Sequence, residues 1–283
     1  MSCAPLSSVE IGRLVADALA EDLGKNGDVT SQAIISPQHR AKAVLRARDG
    51  GVLAGLDFAQ TAFLANDDAL ALVAHKQDGD TIAVGDDILT LEGKALTILG
   101  GERVALNFIG HLSGIASQTA KLVALIAHTQ ARIRDTRKTL PNLRSAQKYA
   151  VRMGGGYNHR FGLDDAILIK DNHIAVAGSI ASAFAAARKN AHKLPIEIEV
   201  DTLDQLDEAL LAGADIVLLD NMPPAMLAKA VKRAKGGVIT EASGRISAQN
   251  VVAIAETGVD FISIGALTHS AHVLDFGLDI DID

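Results

Sequence analysis

The sequence predicts an α/β protein: an incomplete (β/α) barrel in the C-terminal part, preceded by a smaller α+β domain. Three observations predict it. From about residue 130 onward, short apolar runs alternate with segments of helical apolar spacing, the rhythm of a parallel sheet flanked by helices. Residues 42–100 follow a different rule, with alternating stretches divided by Asp/Gly turns, which suits a partly antiparallel sheet. The chain has 283 residues, 48% of them hydrophobic and 22% charged, enough core for two domains. The expected boundaries are 1–112 for the first domain and 113–270 for the barrel, with the tail 271–283 returning to the first.

Taken in order, Ser7 and Glu10 offer a capping box, and Ile11, Leu14, Val15, Ala18 and Leu19 mark one helix face. Lys42–Arg48 and Leu70–His75 read as strands, with turns at Asp49-Gly50-Gly51, Asp78-Gly79-Asp80 and Gly85-Asp86-Asp87 and a helix near Asp57–Leu64. From about Gly101 to Ala127 a helix apolar on most sides is expected, buried, and broken by Gly110 and Gly114. Strand candidates follow at 131–135, 166–169, 196–200, 215–219, 237–241 and 260–264. Between them, helical spacing joins Ile180, Ala183, Phe184 and Ala187; Leu203, Leu206 and Leu210; and Leu227, Ala230, Val231 and Ala234. Six such units fit a barrel one or two strands short of closure.

The bulk properties exclude several classes. The opening MSCAPLSSVE has no basic region and no apolar core, so no secretory signal is read there. The longest apolar runs are roughly half a dozen residues, against about 20 for a membrane span. One cysteine, Cys3, permits no internal disulfide and no cysteine-based zinc cluster, and a reducing cytoplasm is the expected setting. A net charge of −7 and 3% aromatic residues argue against a nucleic-acid binder.

Charge is nevertheless concentrated. Between Arg132 and Arg160 there are eight Lys or Arg residues and one acid, Asp135, so this stretch is near +7 and the remainder near −14. Such concentration in an acidic chain builds a local anion site. Pro141 suits the first turn of a helix in which Arg144, Lys148 and Arg152 share one basic face. Gly154-Gly155-Gly156 then ends the helix. The bland alternative is a solvated basic helix. Against it stand the strand ends, where barrel chemistry sits. In turn they carry Arg137 and Lys138, Lys170, Glu199, Asp220, Glu241 with Ser243 and Gly244, and Gly265. A closed structural core needs no such series.

The segment TRKT…LR…GGG…NHR…LIKDNH resembles the quinolinate phosphoribosyltransferase family, the decarboxylating enzymes of NAD biosynthesis. The resemblance runs over nearly the whole chain. It includes Glu21–Gly24 with Gly27–Thr30, GERVALNFIGHLSGIAS at 101–117, IVLLDNM at 216–222, TEASGRI at 240–246 and ISIGALTHS at 262–270. It implies two anionic small-molecule substrates, quinolinate and phosphoribosyl pyrophosphate (PRPP), with Mg²⁺ accompanying PRPP. Arg103, Arg137, His159, Arg160 and Lys170 would surround quinolinate; Lys138 and, more loosely, His269 would serve the phosphoribosyl side. Glu199 and Asp220 would be oxygen ligands for Mg²⁺, and Ser243, Gly244 and Gly265 would receive a phosphate. Lys138, Lys170, Glu199 and Asp220 are the expected catalytic set.

Plainer readings stand beside these. His159 would suit a structural role, Glu199 and Asp220 would suit caps of the following helices, and Arg103 an interface salt bridge. His269 and His272 are three apart but lack a third ligand. Where the family usually has a second glycine, this chain has Arg245. The resemblance also implies at least a homodimer, with Arg103 reaching into a neighbouring subunit's site. A related transferase acting on another aromatic acid, or a non-catalytic anion-binding barrel, are the competing functions.

Overall fold

The computed structural model describes residues 6–65, 67–191, 193–234 and 236–282; Cys3 lies outside them. Packing divides them into two compact units. Lys121–Arg144 and Gly156–His269 make one, and the other described residues, including the segment Ser145–Gly155, make the other.

The chain opens with α1 (Ser8–Leu23), whose N-cap Ser7 accepts the Glu10 amide at 3.2 Å, the Ser7 arm of the expected capping box. Helix α2 (Val29–Ile34) has Asp28 as its N-cap, accepting from the Ser31 amide. Strand β1 (Arg40–Ala47) buries alternate residues, β2 (Gly51–Val52) follows, and α3 (Leu56–Leu64) buries Phe58, Ala59, Ala62 and Phe63. Next come β3 (Ala71–Ala74), β4 (Thr81–Ile82) and β5 (Asp87–Lys94). The 31-residue α4 (Ala95–Leu125) is longer than its sequence suggested and is continuous through Gly110 and Gly114. Those glycines admit backbone rather than break the helix. A Cβ at Gly114 would lie 1.8 Å from the His272 carbonyl oxygen, and one at Gly110 2.7 Å from that of Leu274.

The remaining elements alternate: β6 (Arg132–Arg134), α5 (Arg144–Met153), β7 (Ile167–Ile169), α6 (Asp171–Ala177), α7 (Ile180–Asn190), β8 (Ile196–Val200), α8 (Leu203–Leu211), β9 (Ile216–Asp220), α9 (Pro224–Arg233), β10 (Ile239–Ser243), α10 (Val251–Ala255), β11 (Phe261–Ser263), α11 (Ala266–His269) and β12 (Phe276–Ile282). Strand β12 pairs antiparallel with β1 in the four-stranded sheet β12-β1-β5-β3. The second sheet is six-stranded and parallel, in the order β6-β11-β10-β9-β8-β7, so β6 and β7 are its edges and the barrel is incomplete.

Around α5 one expectation needs correction and the bland alternative falls. Pro141 does not open the helix; Asn142 takes a left-handed φ of 62° and the helix starts at Arg144. Nor is the Arg144–Lys148–Arg152 face solvated. Lys148 is 1% exposed and Gln147 is fully buried, so the helix turns charge inward alongside Ala146 and Ala150. A periodicity of polar residues gives spacing but not which face the core takes.

Candidate active site

Along the parallel strands, side chains two residues apart share a face. Leu168 and Lys170 from β7 and its end, Leu218 and Asp220 from β9, and Glu241 and Ser243 from β10 therefore point the same way, and all six line one cavity of about 370 Å³. Glu199, Thr136, Arg137, Lys138, His159, Arg160 and Ser263 complete its wall. Apart from Glu241, the middle residue of β10, the charged members lie near or beyond the strands' C-terminal ends, where backbone is released from the ladder and side chains can converge.

Positive charge is crowded on one side. Arg160 donates from Nη1 to the Ala166 carbonyl at 3.0 Å, yet its Nε and that of Arg137 are buried without an acceptor. Burial first, and the Arg137 guanidinium second, hold Arg160 below the ordinary arginine range. Two neighbouring guanidiniums that keep buried donors unused form a site for an anion. Beyond them Lys170 pairs with Glu199. Its backbone amide donates to His173 Nδ1 at 2.9 Å, which fastens the chain where β7 passes into α6.

On the acidic side Glu199 and Asp220 end neighbouring strands. Helix-capping does not account for them, because α8 is capped by Thr202 with Gln205 and α9 starts from Pro223. Asp201 joins them: burial, then the charges of Asp220 and Asp171, push its carboxyl up. Carboxylates that crowd one another in this way suit a hard divalent cation.

Beneath both sets lies a buried network. His159 Nε2 is 2.8 Å from Glu197 Oε2 and 3.5 Å from Glu241 Oε1. Arg134 and Ser263 both bond Glu241, and Arg134 lies 3.7 Å from the Phe261 ring centre. Burial and the Glu197 charge push Glu241 above the usual carboxylate range, while His159 and Arg134 act the other way.

The family model described as the quinolinate phosphoribosyl transferase C-terminal domain matches residues 115–279, and its N-terminal companion matches 28–113. The chain belongs to the quinolinate phosphoribosyltransferase family. A Bacillus subtilis protein described as a probable nicotinate-nucleotide pyrophosphorylase (carboxylating) is 44% identical over 278 residues, covering 98% of this chain and 96% of its own. The Mycobacterium leprae nicotinate-nucleotide pyrophosphorylase (carboxylating) is 44% identical over 271 residues, 93% of this chain and 94% of that one. Among solved structures, the nicotinate-nucleotide pyrophosphorylase of Francisella tularensis superposes with a TM-score of 0.94 at 42% identity, covering 98% of each chain.

Of the residues that the family resemblance singled out, Arg137, Lys138, His159, Arg160, Lys170, Glu199, Asp220 and Ser243 line the one cavity. Gly265 stands against that set: a Cβ there would lie 2.9 Å from Lys138 Cδ and 3.4 Å from His269 Nε2. Gly244, at φ 97°, lines a second, more open cavity with Asn221 and Arg245. Arg103 is exposed on α4 in the other compact unit. Sequence reasoning missed Arg134, Glu197, Asp201 and Ser263. The alternation Glu197, Glu199 in IEIEV was the signal available for one of them, since it places both on one face.

Proposed function

We propose that this chain transfers the phosphoribosyl group of PRPP to quinolinate with decarboxylation, giving nicotinate mononucleotide, pyrophosphate and CO₂. The observation that carries the reading is the Arg137–Arg160 pair with its unused buried donors beside His159 and Lys170. Two carboxylates on adjacent ring carbons match it, since a guanidinium binds a carboxylate through two parallel hydrogen bonds. An acceptor with one carboxylate leaves a buried cation unpaired, at a cost of roughly 2–5 kcal/mol.

Lys138, with the backbone near Gly265 and the His269 side chain, faces the phosphoribosyl partner in this reading. Glu199 and Asp220, with Asp201 near Asp220, would hold Mg²⁺, which when bound neutralises charge on the pyrophosphate leaving group. The pyridine nitrogen attacks C1 of the ribose as the C1–O bond to pyrophosphate breaks. The quaternary nitrogen then stabilises the electron pair left on the adjacent carbon when CO₂ departs, and that carbon takes up a proton. The nitrogen carries no proton to lose, so the cavity's task is positioning and charge stabilisation. A homodimer in which Arg103 completes a neighbouring site, and a cytoplasmic setting suited to a chain with one cysteine, belong to the same proposal.

The test is product formation from PRPP with quinolinate or nicotinate offered separately, following mononucleotide and CO₂. Turnover with quinolinate alone, abolished by EDTA, is expected. Equal turnover with nicotinate would sink the dicarboxylate assignment, and turnover with neither would point to another aromatic acid.

A further inference from the structure

Glu241 lines the cavity and Glu197 stands next to it on the far side of His159, and no part of the reaction as proposed uses either of them. Both are buried, Glu241 completely and Glu197 to 7% exposure. Burying two carboxylates together is costly unless cations offset them. Arg134 is one permanent cation, held on Glu241. Glu197 spends one oxygen on His159, and its other oxygen has no hydrogen-bond partner. His159 Nε2 is shared between the two carboxylates, 2.8 Å from Glu197 and 3.5 Å from Glu241.

We propose that Glu197 and Glu241 are positioning residues for the aromatic acid: by accepting from Nε2–H they fix the tautomer and orientation of the His159 ring at the cavity wall. The proposal rests on the dicarboxylate reading of that cavity. The remaining groups around the imidazole fit it. From the end of β6, Asp135 accepts the His159 backbone amide at 2.9 Å and also bonds Asn158, which fixes the main chain on which the ring is carried. Ser263, from β11, holds the Glu241 oxygen that faces His159. Arg137 and Arg160 line the same cavity, so the ring that the two glutamates fix stands on one wall with the guanidiniums assigned to the carboxylates. The three ligand-type atoms, all within 4.8 Å, also invite a metal reading. It is the weaker one, because the Arg134 guanidinium already occupies Glu241 and would stand against the ion.

Glu197→Gln separates shape from charge, since the amide oxygen can still accept from Nε2–H. The expected result is a roughly tenfold or larger rise in KM for quinolinate, with KM for PRPP within about twofold of wild type and kcat changed much less. Glu241→Gln should move the same parameter in the same direction. Independently of turnover, imidazole ¹⁵N spectra should show His159 carrying its proton on Nε2 in the wild type and no longer held in that tautomer in Glu197→Gln, whose amide can either accept from or donate to that nitrogen, with the signal assigned through His159→Gln. Unchanged His159 signals in Glu197→Gln would overturn the proposal. So would an equal loss of affinity for both substrates accompanied by a lower Tm, the signature of a merely structural role. If the spectra behave as expected while quinolinate fails to turn over, the substrate reading falls and the positioning role stands.

Discussion

At Arg160 the demands of binding and of folding oppose each other. Its guanidinium is desolvated and lies near that of Arg137, which depresses its affinity for a proton. Replacing it should therefore relieve the folded protein while stripping the anion site. Arg160→Ala is expected to raise KM for quinolinate by roughly two orders of magnitude and to leave Tm unchanged or higher; calorimetry and initial rates on one preparation check both halves. A like tension exists at Arg245, which adopts a left-handed φ of 51° beside Gly244. A side chain in that region costs about 1–2 kcal/mol, of which the freer unfolded chain of a glycine variant returns only part. Arg245→Gly should stabilise by about 0.5 kcal/mol, read from urea midpoints. A destabilised variant would mean that the guanidinium makes contacts worth more than the backbone strain.

Among the elements, α4 and α2 make the most direct claims. Helix α4 accepts the chain around His272 only because Gly114 has no side chain: a Cβ there would overlap a backbone oxygen, which cannot swing away as a side chain can. Gly114→Ala should cost about 1–3 kcal/mol or more, in spite of alanine's better helix propensity; a neutral result in denaturant unfolding would show that the segment near His272 yields. In α2 the Asp28 carboxylate accepts from Ser31 through both side chain and backbone, and these bonds, in that order, hold it below the usual carboxylate range. A depressed folded value means stability that is present above the unfolded value of 3.8 and lost as pH falls through the folded one. Asp28→Ala should thus cost about 1 kcal/mol near neutrality, and the difference from wild type should shrink below pH 3.8. Parallel acid titrations of the two proteins measure it.

For the whole molecule, the consequential question is whether a site is completed by a second copy. Arg103 stands exposed on α4, while Lys170 lines the barrel cavity. If Arg103 serves a neighbour, Arg103→Ala and Lys170→Ala variants are each inactive alone but complement when mixed. One of the two sites in each mixed dimer then carries neither change, which returns about a quarter of wild-type activity after equal mixing. No recovery after subunit exchange would remove Arg103 from the shared site. Among the described residues no helix is long and apolar enough to cross a membrane.

Much of this was legible in the chain itself. All six barrel strands were, because each is a short apolar run between helices and parallel strands buried on both faces read as such. The series of charged residues ending those strands was equally plain, since it depends only on where an apolar run stops. Other features needed the fold. That Lys148 is buried, and that α4 continues through Gly110 and Gly114, depends on which face meets neighbouring chain. The His159, Glu197, Glu241 and Arg134 network joins positions up to about a hundred residues apart. Local periodicity determines the kind of element and the parity of its faces. Only tertiary packing decides which charges share a low-dielectric interior, and hence which of them must offset one another.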